Sequence, residues 1–441
     1  MQSEASCSYT YSILLTRYQI LESAFSAVVG VQYEGTTRRV NHHTIPGLLF
    51  ADDLVLMAHN CKELQELLVI TSAFGRTRQL TFNPKKSAVV VFSNHSIGDS
   101  SRLQVQGKVL PVSHEYTYLG ITLSDEQNYL SKHEEKLEMM AKKTLHQMHA
   151  QILWGFHKFE MSRAYWKGVA VPKLTYGNAV TTMTAKTAEA LEKAQREAAR
   201  WALSITGWRV ANEFLSSELN WSSFEEREAK SKLRYFARIQ SMPDSRWPKM
   251  MLNAMDLQKI RTKAYEKMEA LRSKFDCDTL TVEHDEERGA LLGVYYRRLA
   301  EKVKTMQDKA WEEGMAGKST LEMYRTHKES RTTATHTYDN SRGSALLALA
   351  RAGILPTKCF NIFLTASDNY CERCGVHPET LAHVIFKCNE FYHTNEDLAA
   401  RLGLSKELNP ALVHETKRLL GAWDRERRKG SAEKLAPEVK G

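Results

Sequence analysis

The chain has 441 residues, 42% hydrophobic and 26% charged, which is the composition of an ordinary globular protein with roughly two to four domains. Lys and Arg outnumber Asp and Glu by 61 to 52, and the net charge of +9 favours a polyanion such as nucleic acid as the partner. The N-terminus has no signal-peptide pattern, and no stretch approaches about 18 uninterrupted apolar residues. These absences exclude the secreted and membrane classes, so we predict an intracellular protein, nuclear, cytoplasmic or both, that contacts no membrane.

The first predicted element is a β-hairpin in the stretch GLLFADDLVLMA at 47–58. Two short apolar runs meet there at Asp52 and Asp53, which places the aspartates at the tip. A helix before Gly75 is predicted next, because apolar residues and a threonine recur at helical spacing. This helical face consists of Leu64, Leu67, Leu68 and Thr71.

The α/β pattern continues to about residue 125. The β-branched run Val89, Val90 and Val91 predicts a buried strand. Gly107 is expected in a hairpin turn, and Gly120 is expected to interrupt a further strand.

Beyond residue 125, apolar side chains recur at helical spacing in a Lys-rich and Glu-rich background, which predicts helices. One such set is Leu130, Leu137, Met140, Leu145, Met148 and Ile152, and another is Leu191, Ala194, Ala198, Trp201 and Ile205, with Gly207 as its stop. The tail DRERRKGSAEKLAPEVKG has too little apolar surface to fold and is predicted to be disordered. The predicted fold class is therefore α+β and mainly helical.

A candidate zinc site lies in the segment CERCGVHPETLAHVIFKC. Cys371, Cys374, His383 and Cys388 have the spacing C-x2-C-x8-H-x4-C, in which two cysteines on a tight turn and a His and Cys near a helix can surround Zn²⁺. Four protein ligands leave no open position, so the zinc is expected to be structural. His377 is expected to be solvent-exposed, and buried thiols without a metal are the alternative.

Cationic residues beside aromatic ones suggest a surface that binds nucleic acid by stacking and phosphate contact. The candidate residues are Tyr165, Trp166, Lys167, Arg196 and Arg200, beside Trp201. Tyr295, Tyr296, Arg297 and Arg298 form a second such group. In the alternative, these aromatic side chains belong to the core.

Several motifs in order resemble the reverse transcriptases of non-LTR, LINE-type retrotransposons. GLLFADDLVLMAH resembles their Phe/Tyr-Ala-Asp-Asp hairpin, LTFNPKKSAVVVFS their Asn-Pro-x-Lys segment, and YTYLGITL their primer grip. KLTYGNAV and LEKAQREAARWALSITG resemble the thumb, and ETLAHVIFKC resembles the C-terminal zinc motif. The resemblance implies an RNA-directed DNA polymerase whose partners are template RNA and target DNA. It further implies a partial palm at 1–125, a helical thumb at 126–210, a helical linker at 211–355, a zinc knuckle at 356–395, and a C-terminal helix with a basic tail at 396–441.

Phosphoryl transfer explains the aspartate pair chemically, because two Mg²⁺ ions about 4 Å apart need carboxylate ligands. Asp52 is the expected principal ligand and Asp53 an auxiliary one, while Phe50 and Leu54 would anchor the strands in the palm core. The nucleotide- and template-binding residues implied by the resemblance are Phe50, Ala51, Asn83, Lys85, Lys86, Tyr118, Leu119 and Gly120. The alternatives are an exposed hairpin tip for the aspartates and a solvated turn for the lysines.

Two features of these polymerases are missing from the sequence. Residues 1–49 contain no Asp that could supply the further palm carboxylate, and no Gln-Gly template-contacting segment precedes the hairpin. We therefore expect the C-terminal part of such a polymerase, inactive alone and holding Mg²⁺ weakly. Two other functions compete: a non-catalytic zinc-knuckle protein that binds nucleic acid, and a zinc-stabilised scaffold for protein interactions. The pattern does not determine the oligomeric state.

Overall fold

A computed structural model describes most of the chain after residue 46. The described residues are 47–58, 60–92, 102–257, 259, 261–277, 288–328, 330–332, 337–360, 369–386, 388 and 394–435. They belong to two compact units, the first comprising Met1–Lys136 with Asp244–Arg261 and the second Leu137–Pro243 with Thr262–Gly441. Among the described residues, no helix is both long and apolar enough to cross a bilayer.

In its described part, the first unit contains three two-stranded antiparallel hairpins and two helices, and it takes in the start of a third helix. Its strands are β1 (Gly47–Phe50), β2 (Asp53–Leu56), β3 (Gln104–Val105), β4 (Lys108–Val109), β5 (Glu115–Tyr118) and β6 (Ile121–Ser124). Its helices are α1 (Cys61–Thr77) and α8 (Trp247–Leu257), and α2 (Ser131–Ile152) begins in this unit and continues into the second.

Two of the hairpins have turns whose central residues both have positive φ. Gln106 and Gly107 have φ of 49° and 78°, and Leu119 and Gly120 have φ of 47° and 81°. Two-residue turns of this hand match the twist of the flanking strands, and glycine adopts the second position without strain. The turn at Gly107 is confirmed, and Gly120 closes a hairpin between two separate strands.

Helix α1 forms because Asn60 caps it and its apolar face covers a small core. The Asn60 side chain accepts a hydrogen bond from the backbone N–H of Glu63 at 2.9 Å. Of the predicted face, Leu67, Leu68 and Thr71 are buried, and Leu64 is half-buried. The core they join is formed by Leu68, Val89, Leu103, Val105 and Leu110.

The predicted strand at residues 89–91 was wrong. Only Val89 pairs, in a single parallel bridge with Val112, and it accepts from the N–H of Ser113 at 2.9 Å. Pro111, which precedes Val112 on the partner segment, has no N–H to donate, so the ladder cannot extend toward the residues before Val89.

The second unit is helical throughout its described part, and with the short hairpins it confirms the mainly helical α+β prediction. Its helices are the rest of α2, α3 (Lys158–Tyr165), α4 (Val171–Leu174), α5 (Ala185–Ala202), α6 (Asn212–Leu219), α7 (Phe224–Gln240), α9 (Lys263–Lys274), α10 (Arg288–Ala316), α11 (Glu322–His327), α12 (Arg342–Arg351), α13 (Leu381–Ile385), α14 (Asn395–Arg401) and α15 (Pro410–Leu435). A π-helical turn at Trp166–Ala170 joins α3 to α4, and 3-10 turns lie at Ser319–Leu321 and Lys358–Phe360.

One large core extends from α2 to α15 in the second unit. It includes Met148, Leu191, Leu346, Val384 and Trp423, which come from the predicted thumb, linker, knuckle and tail. Residues of four predicted regions therefore share a core, and the two compact units divide after Lys136. A smaller cluster joins α7, α9 and α10 through Ala229, Leu233, Met268, Leu271, Phe275, Leu299 and Val303.

Three sequence predictions for the helices need correction. Met140 is 37% exposed, and its neighbour Ala141 occupies the buried position. Helix α5 ends at Ala202, before the predicted stop at Gly207. Ser204, two residues after the end of the helix, takes a left-handed conformation (φ 58°). The predicted disordered tail is helical up to Leu435, because Trp423 at its start is buried in the core; residues 436–441 lie outside the described part.

A buried ionic network stabilises the second unit. Glu218 on α6 is fully buried and accepts from Arg351 Nη2 at 2.8 Å, from the Tyr324 hydroxyl at 2.6 Å, and from the Tyr338 hydroxyl. Arg351 also donates to the carbonyl oxygens of Leu402 at 2.6 Å and of Gly403 at 2.9 Å. One carboxylate thus joins segments that are distant in the sequence.

Candidate functional site

Cys371 and Cys374 lie on a tight turn that the local backbone closes. The N–H of Gly375, whose φ is +64°, donates to the carbonyl of Cys371 at 2.8 Å. The N–H of Cys371 donates to the carbonyl of His377 at 2.8 Å, and Tyr370 pairs with Pro378 in an isolated bridge. The turn therefore holds both thiols near each other.

His383 and Cys388 are positioned by the short helix α13. Thr380 caps this helix by accepting from the N–H of His383 at 3.1 Å. The N–H of Cys388 donates to the carbonyl of His383 at 3.1 Å just beyond the helix. His383 is buried, and the next two residues, Val384 and Ile385, belong to the large core.

The four predicted ligand atoms converge, and all lie within 4.8 Å of one another. Cys371 Sγ is 3.8 Å from Cys388 Sγ, and Cys374 Sγ is 3.4 Å from His383 Nε2. A tetrahedral ion with Zn–S bonds of about 2.3 Å separates two thiolates by about 3.8 Å. In the described ranges no other set of three or more His, Cys, Asp or Glu side chains converges in this way. This group can hold a metal ion such as zinc.

The electrostatics of the metal-free thiols differ between positions. The backbone N–H groups of Val376 and His377 lower the pKa of Cys374 to about 6. Burial and the neighbouring thiols Cys371 and Cys374 raise the pKa of Cys388 to about 12. A divalent cation would remove this mutual repulsion, and thiolate ligation makes metal affinity depend on pH. His377, predicted to be solvent-exposed, is half-buried and is not part of the group of four.

Side chains around the metal-binding group fasten it to neighbouring elements. The buried Glu379 accepts from the N–H of Lys358 at 3.0 Å, and Lys358 Nζ lies 3.2 Å from Glu372. Arg373 pairs with Glu426 of α15 at 2.7 Å. The group is therefore an integral part of the second unit.

In the first unit, Asp52 and Asp53 lie at the tip of the β1–β2 hairpin, as predicted, and both side chains are exposed. Phe50 pairs with Asp53 across the turn, and its side chain is 62% exposed. The expectation that Phe50 anchors the strands in a core is corrected, because within the described residues β1 and β2 pair only with each other. Leu54 is half-buried.

The structure brings together parts of the other palm-like motifs. Burial raises the pKa of Tyr118, and the charge of Asp53 raises it further. The Tyr116 hydroxyl donates to the carbonyl of Lys86 at 3.0 Å. The remaining candidates are exposed: Ala51, Asn83, Lys85, Lys86, Leu119 and Gly120.

The lysines lie in a turn closed by Asn83, whose side chain accepts from the N–H of Lys85 at 3.0 Å. No third carboxylate or other metal-binding side chain joins Asp52 and Asp53 in the portion of the chain that the structure describes. These residues therefore do not fit a two-metal centre by themselves.

The predicted aromatic residues of the helical body do not form an open stacking surface. Trp166 is fully buried and donates from Nε1 to Gln195 at 3.0 Å, so its ring is not available to a base. The Trp201 ring stacks on His149 at 4.5 Å between centroids and has Lys158 Nζ 4.0 Å from its centroid. Trp166 belongs to the large core, and the half-buried Trp201 packs against that core.

The other predicted residues of this surface differ in exposure. Tyr165 is half-buried against the large core, whereas Lys167 is exposed. Arg196 is half-buried and pairs with Glu189, and Arg200 is half-buried. In the second predicted group, Tyr295 packs against the smaller cluster and the Tyr296 hydroxyl donates to the carbonyl of Arg234 at 3.3 Å.

Sequence reasoning missed two aromatic residues that the second unit exposes almost completely. Trp154 is 91% exposed and Phe156 is 102% exposed, on either side of Gly155 after α2. A signal was present: a glycine between two aromatic residues directly after an amphipathic helix.

Comparison with family models, with curated proteins and with solved structures gave no match. The relation to reverse transcriptases is thus carried by the sequence motifs alone.

Proposed function

We propose that the chain is a nucleic-acid-binding part of a LINE-type reverse transcriptase that is stabilised by structural zinc. The observation that carries the proposal is the convergence of Cys371, Cys374, His383 and Cys388 at tetrahedral separations. These residues match the C-terminal zinc motif of the same family that the aspartate hairpin resembles.

Zinc would have a structural role here. Three thiolates and one imidazole complete a four-coordinate site, which leaves no position for water or substrate. The ion would fix the turn at Cys371 and the helix at His383 against the large core, whose residues Val384 and Ile385 follow directly.

The chain itself would bind nucleic acid without catalysing polymerisation. Asp52 and Asp53 are two adjacent exposed carboxylates, and two Mg²⁺ ions need more ligands than these supply. We derive no catalytic step through Mg²⁺ from them. The proposed partners are RNA and DNA, to which the net charge of +9 is complementary.

The test is a primer-extension assay on a primed RNA template with Mg²⁺ and nucleotides, together with a binding titration at several salt concentrations. We expect no extension above the background of Asp52→Ala, and binding whose affinity falls steeply with salt because counterions are released. Extension that Asp52→Ala abolishes would show that the chain is a polymerase. Salt-insensitive binding to protein, without binding to nucleic acid, would favour the interaction scaffold.

A further inference from the structure

The segment between α2 and α3, Leu153–Phe156 with the sequence LWGF, exposes large apolar side chains to an unusual degree. Leu153 is 62% exposed, Trp154 is 91% exposed and Phe156 is 102% exposed. Rings of this size are normally at least partly covered, and grouped exposed apolar residues mark interaction sites. We call these four residues the aromatic loop.

The backbone of the aromatic loop is held in place although its side chains are not. Asn340 Nδ2 donates to the carbonyls of Gly155 at 2.8 Å and of Phe156 at 3.1 Å, and Asn340 Oδ1 accepts from the N–H of Lys158 at 2.9 Å. The N–H of Gly155 donates to the carbonyl of Ile152 at 2.9 Å. A Cβ at Gly155 would lie 2.6 Å from Met161 Sδ, so any larger residue there would require the Met161 side chain to move.

This arrangement fixes the backbone positions from which both rings project. A rigid aromatic side chain loses little conformational entropy on binding, and the loop itself need not be ordered at that moment. The fixed backbone distinguishes the aromatic loop from a surface segment that is exposed only because it is loosely held.

The charge around the aromatic loop favours a polyanion. Between Met139 and Phe159 the sequence has three lysines, three histidines and no Asp or Glu. Lys142, Lys143 and His146 are exposed on α2. Lys142 and His146 share one helical face with Leu153, and that face leads along roughly 16 Å of helix toward the rings.

We propose that the aromatic loop stacks on unpaired bases of a single-stranded nucleic acid, while Lys142 and Lys143 contact its phosphates. Aromatic rings stack on every base, and cations beside them track the backbone, which is the usual combination for binding single strands without sequence preference. This inference rests on the proposed function in that the partner is a nucleic acid. It assigns the stacking to Trp154 and Phe156, in place of the buried Trp166 and the covered Trp201.

The test compares single strands and duplexes of about 15 nucleotides, as RNA and as DNA, using fluorescence anisotropy on the full zinc-loaded chain. Trp154→Ala and Phe156→Ala should each weaken single-strand binding about ten-fold, because each variant no longer stacks on one base. Duplex binding and the salt slope should not change, because duplex bases are not open to stacking and the lysines still reach the phosphates. Trp154→Phe should retain most of the affinity, since it keeps a ring.

Two further variants separate stacking from charge and from general surface effects. Replacing both lysines, Lys142→Gln with Lys143→Gln, should lower the salt slope by roughly 0.7 for each phosphate that a lysine no longer neutralises. Tyr235→Ala removes an aromatic ring of α7 that is 38% exposed and should bind like the parent. Thermal melting should match the parent for every variant, because these side chains are on the surface.

Three outcomes would overturn the inference. Single-strand binding by Trp154→Ala and Phe156→Ala equal to that of the parent would remove the stacking role, while leaving the proposed function intact. Equal weakening for single strands and duplexes would show that the rings do not act on unpaired bases. A parent chain that binds neither form would overturn nucleic-acid binding as a function and this inference with it.

Discussion

The carboxylate of Glu218 has no contact with solvent and is held by groups from three other segments. Burial alone would raise its pKa, but the charges of Arg351 and Lys328 and the hydrogen bonds from Arg351 and Tyr324 outweigh burial and lower the pKa to about 2. The hydroxyls of Tyr324 and Tyr338 have raised pKa values, because they are buried beside this negative charge and donate to it. Glu218 is therefore ionised in the folded protein.

Glu218→Gln should destabilise the second unit by about 3–5 kcal/mol, because it leaves Arg351 buried without its counter-charge. Urea unfolding followed by circular dichroism measures this change. Glu407→Gln removes an exposed carboxylate and is the matched control, with an expected change within about 0.5 kcal/mol. A loss below about 1 kcal/mol for Glu218→Gln would contradict the role assigned to the network.

The pH dependence of the free energy of unfolding gives a second comparison of the parent with Glu218→Gln. Because the pKa of Glu218 is lower in the folded state than in the unfolded state, the unfolded chain binds more protons as pH falls from about 4.5 toward 2. The stabilisation from Glu218 is present above that window and is lost within it. Glu218→Gln should lack this part of the acid dependence.

Residue types and spacing predicted some of these local features and not others. Cys371, Cys374, His383 and Cys388 are close in sequence, and a turn and a helix suffice to bring them together. Trp166 carries no comparable signal, since an aromatic residue beside a lysine reads the same on an exposed face as on a buried one. The backbone beside the exposed Trp154 is held by Asn340, which donates to the carbonyl of Gly155 and is far away in the sequence.

At the scale of elements, helices α12 and α15 approach closely at two glycines. A Cβ added at Gly343 would overlap the carbonyl of Lys417 on α15, whereas one at Gly421 would meet its nearest atoms at 3.9 Å. Gly343 thus allows the backbones to approach, and Gly421 lies beside the same crossing without being required for it.

Gly343→Ala should destabilise the protein by about 1–3 kcal/mol, because the two helices must separate. Gly421→Ala should be neutral or stabilise it by about 0.5–1 kcal/mol, because alanine restricts the unfolded chain and favours helix. Thermal or urea unfolding of both variants measures the difference. Equal effects of the two substitutions would mean that the crossing tolerates a methyl group at either position.

Hairpins were the most predictable elements, because Gly107 and Gly120 mark turns by a local conformational need. The failed strand at residues 89–91 shows the converse: its β-branched residues indicate a strand, but a ladder also needs a partner segment, and in the described part only Val89 has one, at Val112. The helical tail beyond Asp424 was missed because Trp423 and Leu420, just before the charged stretch, anchor a helix that continues through it.

At the scale of the molecule, the four candidate metal ligands lie next to the large core, to which α2, α5 and α15 also contribute. Val384 and Ile385, adjacent to His383, pack in that core together with Leu420 and Trp423. Loss of the metal is therefore expected to affect α15 as well as α13. The first unit has its own core and contributes no metal ligand in its described part.

Removal of zinc should raise amide hydrogen exchange in α13 and α15 at least ten-fold, because structural metal binding is coupled to folding. Exchange in α1 of the first unit should not change and is the internal control. Cys371→Ser should reproduce the effect without a chelator. Unchanged exchange in α13 after loss of the metal, verified by elemental analysis, would contradict a structural role for the ion.

The pairing of Glu218 with Arg351 also has a consequence for folding during protein synthesis, because one partner is translated well before the other. The two residues are 133 positions apart, and at roughly 5–20 residues per second Arg351 leaves the ribosome on the order of ten seconds after Glu218. Until then the carboxylate of Glu218 has no guanidinium partner and remains hydrated, so α6 is not fully desolvated at this position. Leu402 and Gly403, which accept from Arg351, emerge later still. The large core is therefore completed only when its last helices have been translated, and ribosome pausing between these two residues lengthens the exposure of its apolar surface to chaperones.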